Sequence, residues 1–128
     1  MTPKVLSIIE TAYRATLEEQ DDTTVWFLHA LKGAGSPQTL LLRGNAVNYA
    51  VRSQDASGLA FGARKQTQPP RLAEDLSSIS RKGVTVLLQK EDVERLGLSR
   101  DQLIPEVELV GRTRIATLMD EHDLVWWF

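Results

Sequence analysis

The stretch that decides the fold is residues 84–98, VTVLLQKEDVERLGL. Val84 to Leu88 is a short apolar run rich in β-branched residues, preceded by Gly83, and it reads as a buried strand. Gln89 to Leu98 then changes period and reads as a short helix with Glu91 and Asp92 near its start and Gly97 as its stop. A strand running directly into a helix is half of a β-α-β unit, and the same grammar recurs on both sides. Downstream, Val107 to Val110 reads as a strand, Arg112 to His122 as a helix through Ile115, Leu118 and Met119, and Leu124 to Phe128 as a terminal strand. Upstream, Pro69 and Pro70 open a helix through Leu72, Leu76 and Ile79 that stops at Gly83. Thr39 to Arg43 is a strand, and Asn45 to Val51 a short helix with Asn45 as its N-cap. Val5 to Ile9 is the first strand. It is followed by a helix over about 17–33, opened by the capping box Thr16-Leu-Glu-Glu19 and closed by Gly33 and Gly35. Strands alternating with helices predict a flavodoxin-like, three-layer α/β/α domain with a five-stranded, mainly parallel sheet. Residues 52–70 are left as a long polar connection, expected to cap a ligand or meet another subunit.

The whole chain fits one domain over residues 1–128. Its 15 Lys plus Arg against 17 Asp plus Glu leave a net charge of −2, which gives no electrostatic case for nucleic acid. No apolar run approaches the ~20 residues that cross a bilayer, and MTPKVLSIIE lacks a signal-peptide layout, so a cytoplasmic protein without membrane contact is expected. The cysteine count is zero, which excludes disulfides, thiolate metal sites, Fe–S clusters and a cysteine nucleophile together. With two histidines, no HExxH and no GxxxxGK[ST], no metal site and no cofactor is expected.

In such sheets ligands sit outside the carboxyl ends of the strands. The residues at those ends are Glu10, Thr11 and Tyr13; Arg43, Gly44, Asn45 and Asn48; Gln89, Lys90 and Glu91; and Gly111 and Arg112. The expected pocket lies where 43–48 meets 89–91, capped by 52–70 with Arg64 and Lys65 adding positive charge. Arg43 beside helix-start amides reads as an anion anchor, or else as a surface arginine paired with Glu10 or Asp55. Other conspicuous residues read as structural. Gly33-Ala-Gly35 ends a helix and does not follow a strand, so it is a helix stop and not a dinucleotide fingerprint. His29 within WFLHAL is a packed or interfacial side chain, and His122 fits the last turn of a helix. Strand alternation sends Trp126 and Phe128 to one face and Trp127 to the other; the core accounts for one side, and a subunit contact is expected for the rest. That apolar surface, together with WFLHAL and the long loop, predicts a homo-oligomer.

The ordered pieces LLLRGNAV (40–47), VTVLLQKEDVERLGL (84–98) and IPEVELVGRTRIATLMDEHDLVWWF (104–128), behind a β-α start, resemble the DsrE/DsrF-like family of sulfur-relay proteins. That family includes DsrE, DsrF, DsrH, TusB, TusC and TusD. The resemblance runs from about Val5 to Phe128 and is weakest over 52–70. It implies a flavodoxin-like fold, assembly into trimers or hexamers (as a homo-oligomer or in a mixed assembly), and persulfide transfer in the active members. Their cysteine follows the third strand, and alignment on RLGL puts that position at Gln89. An amide is no nucleophile and holds no sulfane sulfur, so the resemblance implies a non-catalytic binding or scaffolding subunit, closest to the TusB/DsrH side. The alternative is a cysteine-independent enzyme or sensor that uses Arg43, Asn45, Gln89 and Lys90 on a small anionic ligand.

Overall fold

A computed structural model of the chain describes residues 2–12, 23–54, 60–65 and 71–128. The strands are β1 (Val5–Ile9), β2 (Gln38–Leu42), β3 (Ala60–Phe61), β4 (Arg64–Lys65), β5 (Thr85–Gln89), β6 (Glu108–Val110) and β7 (Leu124–Trp127). The α-helices are α1 (Thr23–Gly33), α2 (Leu72–Arg81), α3 (Lys90–Arg95) and α4 (Ile115–Asp120). Five strands form one sheet in the order β6-β5-β2-β1-β7, every neighbouring pair parallel. The expected α/β fold with a five-stranded parallel sheet is therefore the observed one, with strand limits shifted by a residue at most ends.

Strand order decides which face each helix covers. From β1 the chain steps outward to β2, β5 and β6, then returns across the sheet to β7 on the far side of β1. A right-handed crossover that reverses direction must pass over the opposite face. Accordingly α1, α2 and α3 lie on one face, where Val25, Leu28, Leu72, Leu76, Ile79 and Val93 pack with Leu40, Leu42, Val86 and Leu88. Among the described residues α4 alone covers the other, where Ile115 and Leu118 meet Leu6, Ile8, Leu41 and Leu87. Alternation along each strand produces this division, with Leu40 and Leu42 facing one side and Leu41 the other.

Three local expectations are corrected. The segment read as a short helix over 45–51 is a 3-10 helix, Gly44–Ala50, whose N-cap residue is Arg43 and not Asn45. Its buried residues are Ala46, Val47, Tyr49 and Ala50, and at three residues per turn 46 stands over 49 and 47 over 50, so one face of the 3-10 helix meets the core. The helix read over 112–122 divides into a 3-10 turn, Arg112–Arg114, and the six-residue α4, which leaves His122 in the turn beyond it. The 52–70 connection contains the two-stranded β3-β4 hairpin, turning at Gly62 with φ +62. The capping box Thr16-Leu-Glu-Glu19 lies outside the described residues. The helix stop is as expected: Gly35, at φ +91, donates to the Lys32 carbonyl and Ser36 to that of Leu31. Among the described residues no helix is long and apolar enough to cross a membrane.

Candidate functional site

The site is built at the carboxyl ends of β1, β2, β5 and β7. Arg43 stays extended beyond β2 (φ −138, ψ 173), and its amide continues the ladder by donating to the Ile9 carbonyl at 3.0 Å. Two residues past Leu41, it therefore falls on the α4 face. Gln89, two residues past Leu87, falls there too, one step beyond the registered pair Leu42–Leu88. On the other side of Arg43 comes Glu10, and beyond it Trp127, whose neighbour in register is Ile8. Trp127, Glu10, Arg43 and Gln89 thus form a row across the sheet ends. Arg43 is held from two sides: its Nε lies 3.1 Å from Glu10 Oε1, and its guanidinium carbon 5.3 Å from the centroid of the Trp127 ring. Of the two readings of Arg43, the geometry is the pair with Glu10.

Gln89 is 1% exposed, and among the described residues its Oε1 has no hydrogen-bond partner. A buried amide oxygen without a donor is destabilising by about 1–3 kcal/mol, so it is an acceptor awaiting a donor.

The first turn of α3 binds its neighbours together. Asp92 Oδ2 accepts from the Gly44 amide at 2.7 Å, and both oxygens of Glu91 accept from the Arg112 amide, at 2.9 and 3.0 Å. The Arg112 amide bond, and next the carboxylate's own backbone amide, hold the Glu91 carboxyl below the usual carboxylate range. Gly44 takes φ +57, and a side chain there would come within 3.6 Å of the Glu10 carbonyl. The amide expected to greet an anion is thus engaged by Asp92.

The other expected site residues sit around this centre. Asn45 is exposed, and its carbonyl accepts from Asn48 Nδ2 at 3.0 Å. Lys90 pairs with Glu94 along α3 at 3.9 Å. Arg64 is exposed on β4, and among the described residues no hydrogen bond or ion pair joins it to the row. Of the expected cap over 52–70, residues 55–59 and 66–70 lie outside the described residues. The contributions of Trp127 and Asp92 to this arrangement were not read from sequence. Trp127 is the more legible in retrospect, because an arginine at one strand end beside an aromatic terminal strand is a recognisable pairing.

The expected interface residues divide by face. Trp126 stacks on Phe27 of α1 with ring centroids 5.8 Å apart, Phe128 packs against the larger core, and Trp127 is half exposed. His29 Nε2 contacts Lys82 Nζ. His122 is structural: Nδ1 donates to the Leu118 carbonyl at 2.6 Å, which leaves Nε2 to accept from Thr39 Oγ1 at 2.9 Å. Among the described residues no group of three or more His, Asp or Glu is placed to hold a metal ion.

No protein-family model matches the chain, and no curated protein matches it. Solved structures do. The E. coli YchN protein aligns over 99% of this chain and 100% of its own, with a TM-score of 0.72 at 19% identity. The fold is shared. MTH1491 from Methanobacterium thermoautotrophicum, a protein of unknown function, aligns over 93% of both chains with a TM-score of 0.62 at 14% identity. The α/β architecture with a five-stranded parallel sheet that this likeness shows is the one that the sequence resemblance implies. At these identities the likeness concerns architecture alone.

Proposed function

We propose that the chain is a non-catalytic binding or scaffolding subunit, related to the sulfur-relay proteins of the DsrE/DsrF-like family, and that it works as a homo-oligomer. The observation that carries this reading is Gln89, which stands where the resemblance places a cysteine and is buried with Oε1 unpartnered. An amide there forms hydrogen bonds and attacks nothing, so the position retains recognition and loses covalent chemistry. The neighbouring charges are already matched, Arg43 by Glu10 and the Gly44 amide by Asp92. The unmet demand is for a donor, and a ligand bearing an N–H or O–H answers it better than a bare anion. Assembly is supported by exposed Trp26, Phe27, Phe61, Leu124, Val125 and Trp127, apolar surface that a small monomer rarely leaves in water.

The experiment is a thermal-shift panel of nucleotides, sulfur metabolites and small acids and amides, since a ligand that binds only the native state raises the midpoint. The expected result is a hit without turnover, weakened by Gln89→Ala and by Arg43→Ala. Turnover of a panel compound overturns the non-catalytic reading. A hit indifferent to both substitutions moves the site elsewhere. Sedimentation as a monomer at high micromolar concentration overturns the homo-oligomer.

A further inference from the structure

β7 is an edge strand, and its outer rim is laid out for a second copy of itself. The amides of Leu124 and Phe128 donate to the Lys4 and Ile8 carbonyls, and the Glu10 amide donates to the Phe128 carbonyl. Backbone groups alternate along a strand, so residues 124, 126 and 128 face β1 while Val125 and Trp127 turn their N–H and C=O groups outward. Among the described residues nothing pairs with those outward groups. The rim also lacks the usual guards. From Leu124 to Phe128 no side chain is charged and there is no proline or bulge, with Asp123 just before the strand, whereas the opposite edge, β6, carries exposed Glu108 within the strand itself. A neutral rim brings no like charges together when it meets its own copy.

We propose that two copies of the chain pair β7 with β7 in antiparallel register about a two-fold axis at Trp126, forming one continuous sheet through both. The register follows from the outward groups. Val125 of one copy lies opposite Trp127 of the other, each pair exchanging both N–H···O bonds, and the two Trp126 residues meet as a non-hydrogen-bonded pair, the closer kind. The Phe27–Trp126 stack of each copy then joins its mate across the axis, covering an aromatic surface on the α1 face. On the α4 face each Trp127 lies beside the partner's Val125. Like groups interdigitate without rearranging either chain, as an isologous contact requires.

The inference rests on the homo-oligomer reading above, and the test separates the two. Sedimentation of the full chain is combined with hydrogen exchange at the Val125 and Trp127 amides over a dilution series. The expected result is an even-numbered oligomer in which both amides are protected and lose that protection on dilution. Val125→Pro deletes an outward donor in each copy at an edge position that proline tolerates, and is expected to weaken association on the order of tenfold or more. Val125→Lys, which places a charge on the rim, gives the same result if the proline variant fails to fold. A monomer overturns both readings. A trimer, an oligomer whose 125 and 127 amides exchange freely, or unchanged association of a folded Val125 variant overturns the β7 pairing alone.

Discussion

The two faces of the sheet are made by the same strands and are built to different depths. On the face covered by α1, α2 and α3, nineteen buried residues from strands, helices and the 3-10 segment form one continuous core among the described residues. On the other, six suffice, because one short helix crosses it. The difference follows from strand order: three crossovers run in one direction and one returns. The lesson is a division of labour. The deep face supplies cohesion, and the thin face leaves room for the row Trp127, Glu10, Arg43 and Gln89, with Trp127 still 49% exposed.

The two faces differ most at neighbouring leucines of β2, both fully buried, one on each face. Leu40→Ala is expected to cost about 4 kcal/mol in denaturant unfolding and Leu41→Ala about 3, because the thinner face collapses more readily around a void. Equal costs, or the reverse order, would abolish the distinction. Next comes Arg100, whose guanidinium donates to the carbonyls of Ile104, Pro105 and Val107 and so fixes a segment that lends Ile104 and Val107 to the deep core. Arg100→Ala should lose about 2 kcal/mol; a loss confined to local exchange protection of 103–107 would make the deep face independent of its polar clamp. On the thin face the sign reverses. Gln89→Met removes an unsatisfied buried acceptor at similar volume and should gain about 1 kcal/mol while abolishing ligand response. A destabilised variant would mean that Oε1 is satisfied in solution. The smallest effect is at Glu91, whose folded pKa lies below its unfolded value. Its contribution is fully present above the unfolded value and is lost as pH falls through the folded one. Stability curves of Glu91→Gln should therefore meet those of the parent protein at acid pH and lie slightly below them at neutral pH.

The strand-helix alternation was legible because it is written in apolar periodicity and glycine stops: Val84 to Gly97 needs little context to be read. The site was legible only as a neighbourhood. That Arg43 pairs with Glu10 was one of two open readings, and the ladder register between β1 and β2 decides it. Asn45 looked like an N-cap because it precedes an apolar run, but the Gly44 amide is taken by Asp92, 48 residues away, and no local pattern encodes that. Likewise the helix after Arg112 is shorter than its periodicity suggests: its first residues are drawn into a 3-10 turn whose amide is anchored on Glu91. Sequence announces elements well and announces contacts between distant elements poorly, because tertiary partners override local preference.

The partnership of β1 with β7 has a consequence in time. Lys4 and Asp123, joined by a hydrogen bond, stand 119 residues apart in the chain. On the ribosome, β1, β2, β5 and β6 emerge in an order that lets each pair with one already present. The outer side of β1 waits for Leu124–Trp127. Until those residues appear, the nascent sheet carries an apolar open border along Val5–Ile9, the kind of border that invites mispairing between growing chains. β7 is thus a late closure as well as a strand, and until it arrives the outer edge of β1 stays open.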